Sequence, residues 1–269
     1  MQAGITNLAA LLFCFVLLPS ASGAALTGRQ IVDKAADAHE AAVELELQSM
    51  TLLSGDKVEE QREVRRYAIK QGKDEWKYLV SFLSPAGVKG VALLTWSHPG
   101  GQDDQWLYLP SLGNKLTRIA KGSRKDYFMG TDLAYEDMVT EDRNNYTYTL
   151  KGEEALDGAA HYVVEAVPAK EEFLRDSGYS RRVVWIRTDN FFIARTDFYD
   201  KRERLMKRQV ASKLAPVKGA MWRAQHVEVE HFMKKHKTVV EVKQRSFDAA
   251  AVPASVFTHR FILEGSHAR

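Results

Sequence analysis

Residues 221–247 read MWRAQHVEVEHFMKKHKTVVEVKQRSF. Apolar and β-branched side chains recur among polar ones in both halves, which predicts two β-strands, Met221–Phe232 and Lys237–Phe247. A short basic turn, Lys234–Lys237, separates them, so the two strands must run antiparallel and pair with each other. The rest of the chain is organised like this hairpin, as long strands joined by short turns.

The segments that precede the hairpin have the same strand-like character. They are Val43–Gln48, Glu63–Lys70, Trp76–Phe82, Gly90–Trp96, Gln105–Leu109, Lys115–Ile119, Asn145–Leu150, Ala160–Pro168, Arg182–Thr188, Phe191–Tyr199 and Arg204–Lys213. Turn dipeptides such as Asp157-Gly158 and Lys218-Gly219 stand between them. Strands that follow strands through short turns form one large antiparallel sheet. Without an internal repeat or a linker, residues 25–269 are predicted to be a single domain.

Two helices are predicted beside the sheet. Thr27 and Gln30 have the spacing of a capping box, which begins an N-terminal helix. Its apolar stripe is Ile31, Ala35, Ala38 and Ala42. The polar stretch Thr131–Val139 predicts a short mid-chain helix. The expected fold is therefore mainly β: a large antiparallel open half-barrel whose concave face is covered by the N-terminal helix and the mid-chain helix.

The N-terminus predicts export. Leu8–Leu18 is a run of eleven apolar residues, and small residues follow it from Ser20 to Ala25. A spanning helix needs about 20 apolar residues, so residues 1–24 are predicted to be a cleaved signal peptide, with cleavage after Gly23, Ala24 or Ala25. Cys14 lies within the run, and the bulky Phe13 before it favours an ordinary apolar segment over lipid attachment. Cleavage would leave no cysteine for a disulfide, a thiolate ligand or a nucleophile.

The sequence gives little indication of catalysis. The nucleophile-elbow, phosphate-loop and dinucleotide-binding motifs are missing. His226, Glu228 and Glu230 share one strand face and are a candidate metal site, but cross-strand ion pairs with the next strand are the favoured interpretation. A net charge of +3 does not suggest nucleic acid binding. We therefore expect no cofactor, no metal, no nucleic acid partner and no enzyme activity.

Two alternatives stay open on charged groups. A secreted hydrolase that uses Asp104 or Glu136 is the alternative from another class, although adjacent carboxylates on a helix, such as Glu136 and Asp137, point about 100° apart. The basic run Lys234–Lys237 is either a solvated turn or a rim that meets anionic lipid.

Several motifs resemble one known family. They are Phe82–Pro85, Val88–Gly90, Trp106–Pro110, Arg118-Ile119, Phe128–Asp132 with Tyr135–Asp137, and Pro253–Thr258 with Phe261–Leu263. The combination of YLP with FMGTD and YED is the specific part. The chain resembles the outer-membrane lipoprotein-sorting proteins of the LolA/LolB-like lipoprotein-carrier superfamily.

The resemblance implies a periplasmic carrier. In such a protein helices close an open half-barrel over a hydrophobic cavity, which shields acyl chains between two membranes. The implied partners are lipid or lipoprotein acyl chains, and a multispanning inner-membrane exporter or an outer-membrane acceptor. We expect a monomer. A non-carrying sensor of envelope lipids with the same fold is the runner-up, and the resemblance implies no catalytic residues.

The ligand face is predicted from strand alternation. Trp106 and Tyr108 point to one side of their strand, and Leu107 and Leu109 to the other. Amphipathic aromatic rings tolerate a site that is alternately wet and filled with lipid, which favours Trp106 and Tyr108 as the cavity side. The full set of expected cavity-lining residues is Trp96, Trp106, Tyr108, Phe128, Met129 and Tyr135.

Overall fold

The computed structural model describes residues 25–268. The predicted signal peptide, including Cys14, lies outside the described residues. No helix within the described range combines the length and the hydropathy that a membrane-spanning helix requires.

Thirteen strands form one antiparallel sheet, as predicted. They are β1 Val43–Ser54, β2 Lys57–Gly72, β3 Glu75–Ser84, β4 Ala92–Trp96, β5 Asp104–Tyr108, β6 Leu116–Arg118, β7 Tyr146–Leu156, β8 Ala159–Pro168, β9 Arg181–Arg187, β10 Ile193–Tyr199, β11 Leu205–Lys218, β12 Met221–His231 and β13 His236–Ser246. The sheet order is β6-β5-β4-β3-β2-β1-β13-β12-β11-β10-β9-β8-β7. Only the β1–β13 pairing joins strands that are distant in sequence. Because β6 and β7 remain edges, the sheet is an open half-barrel.

Three α-helices accompany the sheet in the described range: α1 Gly28–Ala38, α2 Glu171–Asp176 and α3 His259–Leu263. The capping box that begins α1 is confirmed, with the Gln30 N–H donating to Thr27 Oγ1 and the Thr27 N–H to Gln30 Oε1. Gly28 lies against β7 so closely that a Cβ would be 2.8 Å from the Leu150 nitrogen. The predicted extension of the apolar stripe to Ala42 is wrong: α1 ends at Ala38, and Ala42 is exposed beside the start of β1.

The mid-chain segment, residues 119–145, packs on the concave face but differs from the prediction. The expected helix Thr131–Val139 is wrong, since only Tyr135–Met138 forms a single 3-10 turn. Thr131 donates its hydroxyl to the Phe128 carbonyl oxygen, 2.7 Å away, and so stabilises a bend instead of capping a helix. The Phe128 ring stacks on Phe82 of β3 at 5.4 Å between centroids, which fixes the segment to the sheet.

The C-terminal residues cover the opposite, convex face. Val256, Phe257 and Ile262 are buried against Leu79 and Leu94 of β3 and β4. This half of the sheet is therefore covered on both sides, which explains why both faces of these strands carry large apolar side chains.

Candidate functional site

A cavity of about 680 Å³ lies on the concave side, between α1, the mid-chain segment and strands β1, β2 and β7 to β13. This volume is typical of pockets that hold a small organic ligand, which range from about 300 to 1,000 Å³. Much of the wall is apolar. Its apolar members include Val32, Ala35, Ala36, Tyr148, Ala166, Val184, Phe192, Phe198, Ala211, Val227, Val240 and Val242.

Strand pairing and residue size together create this space. Ala211 of β11 pairs with Val227 of β12, which pairs with Val240 of β13, so the three side chains form one row across the concave face. On the other side, α1 presents Ala35 and Ala36 to the cavity. Alanine and valine are too short to fill the distance between helix and sheet, and an apolar void remains.

A second part of the wall is charged. Glu44 and Glu46 of β1 face Arg66 of β2, Arg223 of β12 and Arg245 of β13, and we name these five residues the arginine cluster. Arg223 Nε lies 2.9 Å from Glu44 Oε1. Arg245 Nη2 lies 2.6 Å from Glu46 Oε1 and also donates to the Ala224 carbonyl oxygen at 3.0 Å. All five residues line the cavity.

The arginine cluster favours the ionised form of Glu46. Burial by itself would raise the pKa of Glu46, but the Arg66 and Arg245 guanidinium groups more than offset that effect, so this pKa lies below its usual value. Burial likewise opposes the charge of Arg66, and Glu46 and Glu44 overcome it and raise the Arg66 pKa. Glu46 and Arg66 therefore each favour the charged form of the other.

Another charged group joins the mid-chain segment to the sheet. Lys207 of β11 is completely buried, and its Nζ contacts Asp137 Oδ2 at 2.5 Å and the Asp132 carbonyl oxygen at 3.0 Å. The Tyr179 hydroxyl donates to the same Asp137 carboxylate at 2.9 Å. Asp132 in turn accepts from Thr238 Oγ1 at 2.8 Å. These acidic residues of the mid-chain motif therefore act as anchors.

Glu136 lines the cavity, as its neighbour Asp137 does, but it has different partners. Burial, followed by the charge of Asp137, raises the pKa of Glu136. Its Oε1 accepts the Gly178 N–H at 2.7 Å. Nearby, burial lowers the pKa of Arg182, and this residue pairs with Glu141. This part of the wall is polar but largely satisfied by internal partners.

The six predicted ligand contacts lie elsewhere. Trp96, Trp106 and Tyr108 pack under the C-terminal residues on the convex face, where the Trp96 and Trp106 rings are 4.8 Å apart and Trp106 is 4.5 Å from the His259 ring. Phe128, Met129 and Tyr135 are on the concave side, but they pack into the core between the mid-chain segment and the sheet. None of the six is in the wall of the cavity. Their role in ligand binding stays a prediction.

The side of β5 on the concave face carries Leu107, and not Trp106 and Tyr108 as expected. Leu107 pairs with Leu93, and the same row continues through Val80, Arg66 and Glu46. Trp106 belongs to the neighbouring row, on the face that the C-terminal residues cover. Sequence reasoning missed the arginine cluster, although the alternation of Glu44, Glu46 and Gln48 along one strand was a visible signal.

The other candidate sites prove to be ion pairs. His226 Nδ1 is 2.8 Å from Glu241 Oε1, and Lys237 Nζ is 2.7 Å from Glu228 Oε1, so the predicted cross-strand pairing is confirmed on this face. Between Ala25 and Ala268, no group of three or more His, Cys, Asp or Glu residues is arranged to hold a metal. Asp104, the other hydrolase candidate, is paired with Arg118 and His98.

The basic turn also has internal partners. Lys234 Nζ lies 3.4 Å from the centroid of the Tyr127 ring, and His236 Nδ1 lies 2.7 Å from Asp132 Oδ2. With Lys237 bound to Glu228, three of the four side chains in the run stabilise the fold.

The half-barrel has a LolA-like fold. Over 88% of this chain and 98% of the other, the structure is similar to an outer membrane lipoprotein-sorting protein domain from Vibrio parahaemolyticus (TM-score 0.81, 25% identity). A DUF1329 family protein from Desulfovibrio piger is 30% identical, with a TM-score of 0.80 over 87% of this chain and 97% of that one. A LolA superfamily protein from Nitrosomonas europaea shares the fold at 20% identity and a TM-score of 0.66, over 87% and 98% of the two chains.

The chain belongs to the DUF1329 family. In addition, the family model described as "-like: Uncharacterized protein" matches residues 74–264, which is well over half of the sequence. No curated protein matches the chain.

Proposed function

We propose that this protein is a periplasmic, non-catalytic carrier that holds a lipid, or the acyl chains of a lipoprotein, in the concave cavity and transfers it across the envelope. The single observation that carries the proposal is the cavity of about 680 Å³ with its apolar row Ala211, Val227 and Val240. An acyl chain gains about 0.8 kcal/mol for each CH₂ group that leaves water, so such a cavity favours acyl ligands strongly.

Support for the carrier role comes from the similarity to a lipoprotein-sorting domain and from the LolA-like fold. Export follows from the apolar run Leu8–Leu18 and the small residues after it. We propose a multispanning inner-membrane exporter or an outer-membrane acceptor as the partner. The satisfied ion pairs of Asp104 and Asp137 support a role without catalysis.

The first experiment identifies the cargo. The mature protein is purified from its native envelope without detergent, extracted with organic solvent, and the extract is examined by mass spectrometry. An acyl-containing lipid in a near-stoichiometric amount is the expected result. An extract without acyl compounds, from protein that also fails to bind a fluorescent fatty alcohol, would contradict the proposal.

A cavity-filling variant tests the location. Ala211→Trp places a large ring in the cavity and should abolish binding of the fluorescent fatty alcohol. Ser212→Trp is the matched control, because its side chain is on the opposite face of β11, and it should bind as the wild type does. Equal binding by both variants would place the acyl site elsewhere.

A further inference from the structure

The arginine cluster is built by strand register. Glu46 of β1 pairs with Arg66 on one side and with Arg245 on the other, so both guanidinium groups flank its carboxylate on the concave face. A β-bulge in β13, between the pairs Leu47–Gln244 and Gln48–Val242, inserts Lys243 as an extra residue. Without this bulge, Gln244 would stand opposite Glu46 and Arg245 would point to the convex face.

The cluster carries more positive than negative charge. Arg66, Arg223 and Arg245 contribute three cations, whereas Glu44 and Glu46 contribute two anions. Among residues 25–268, the ion pairs of these three guanidinium groups are made with these two carboxylates alone. Other carboxylates of the wall have cations of their own: Asp103 pairs with Arg124, Asp137 with Lys207 and Glu141 with Arg182. The cluster itself therefore keeps an excess of one positive charge. A buried charge without a counterion is costly, and an anion that binds there removes this cost.

Among the three arginines, Arg66 has the N–H donors that the two carboxylates engage least closely. Arg223 and Arg245 approach carboxylate oxygens at 2.9 Å and 2.6 Å, whereas the distances from Arg66 Nη1 to Glu46 and Glu44 are 3.5 Å and 3.8 Å. The Arg66 side chain is also 31% exposed, compared with 15% for Arg223 and 14% for Arg245. Its guanidinium group has five N–H donors in a planar arrangement that suits carboxylate and phosphate oxygens.

Apolar side chains lie in the next cross-strand row on the concave face, beside the row that contains Glu46. Gln48 of β1 pairs with Val242, and Val240 and Val227 follow in the direction of the rest of the cavity. A ligand whose charged end reached Arg66 would thus place its chain along valine and alanine side chains. The arrangement has the polarity of an amphiphile, with a cationic end and an apolar channel.

We propose that the arginine cluster binds the single anionic headgroup of the ligand, with Arg66 as the direct contact, while the acyl chain occupies the apolar part of the cavity. This inference rests on the proposed function, because it assumes that an acyl chain binds there. The ligand class is an acyl amphiphile with a carboxylate or a phosphate monoester. Neutral headgroups lack the charge that the cluster leaves unbalanced.

Three fluorescent probes with the same acyl chain test the headgroup: a fatty acid, a monoacyl glycerol phosphate and a fatty alcohol. A charge-assisted hydrogen bond contributes about 1.5–3 kcal/mol, so the better anionic probe should bind at least about tenfold more tightly than the alcohol. The comparison of the two anions tells a carboxylate ligand from a phosphate ligand. Equal affinity for all three probes overturns the headgroup proposal and leaves the carrier proposal intact, whereas failure of all three to bind contradicts the carrier proposal.

Arg66→Gln assigns the site. The substitution leaves two arginines with two glutamates, so the cluster becomes neutral and stays paired. We expect the preference for the anionic probe to disappear while the affinity for the fatty alcohol changes less than about twofold. Arg65→Gln removes the same charge from the other face of β2 and should keep the preference. Should Arg66→Gln fold poorly, Arg66→Lys retains the charge and is expected to retain the preference. A preference for anions that survives in folded Arg66→Gln overturns the assignment.

Discussion

The Nζ of Lys207 and the Oδ2 of Asp137 are 2.5 Å apart, although 70 residues separate them in sequence. This buried ion pair joins β11 to the mid-chain segment. The aromatic rings of Phe198 and Tyr179 lie 4.6 Å and 5.0 Å from the same Nζ, so the cation has both a counterion and aromatic neighbours. The segment that covers the concave face is thus held by a charge and not only by apolar packing.

Lys207→Met should therefore be strongly destabilising. It leaves Asp137 buried without its cation, and the loss of one member of a buried pair costs about 3–5 kcal/mol. Urea unfolding followed by circular dichroism measures the free energy of unfolding. Lys213→Met, in the exposed part of the same strand, is the control and should change it by less than about 0.5 kcal/mol. Similar small losses in both variants would mean that the ion pair contributes little.

Arg245→Met should destabilise the protein for a related reason. Arg245 Nε and Nη2 contact both carboxylates of the arginine cluster, at 3.0 Å for Glu44 and 2.6 Å for Glu46. Its removal leaves those buried anions short of a partner, and a loss of about 3 kcal/mol is expected. Lys243→Met, the bulge residue two positions earlier, is 57% exposed and serves as the control. A thermal unfolding series at constant pH compares the two.

The Trp106→Glu variant tests whether the aromatic residues on the convex face take part in ligand binding. The Trp106 ring contacts Trp96 and His259, and a carboxylate there would disrupt the packing of the C-terminal residues. We expect a loss of about 3 kcal/mol or more in the free energy of unfolding, as for other large-to-small or charged changes at packed aromatic sites. At low temperature the folded fraction should bind the fatty alcohol as the wild type does. A folded variant that no longer binds the fatty alcohol would show that Trp106 belongs to the ligand site.

Glu136→Gln should change how stability depends on pH. The folded-state pKa of Glu136 is raised, so the folded protein binds its proton more readily than the unfolded chain does. The contribution of this group to stability is therefore present at low pH and is lost as pH rises through the folded pKa. The variant should match the wild type near pH 4 and become relatively more stable toward pH 8. Urea unfolding at both pH values measures the difference in the free energy of unfolding between the variant and the wild type. If Glu136 is freely solvated, this difference should not change with pH.

A large part of the fold was predictable from local pattern. Alternation identified strands such as β12, which was predicted as Met221–Phe232 and is observed as Met221–His231, and the spacing of Thr27 and Gln30 identified the start of α1. Both are properties of neighbouring residues, and local geometry is enough to decide them. The mid-chain helix was predicted wrongly because Thr131 donates to the Phe128 carbonyl oxygen and Asp132 accepts from the distant Thr238 hydroxyl of β13. A sequence pattern does not reveal such partners.

The sequence by itself determined the strands, the turns and the mainly β class, since side-chain period and turn chemistry act over a few residues. Only the tertiary structure decided which face of each strand lines the cavity. Alternation divides Glu44 and Glu46 from Leu45 and Leu47 but does not say which set is inside, and here the charged set is. That outcome depends on the pairing of β1 with β13, on a bulge that turns Arg245 inward, and on C-terminal residues that cover the other face. Each of these joins residues that are far apart in the chain.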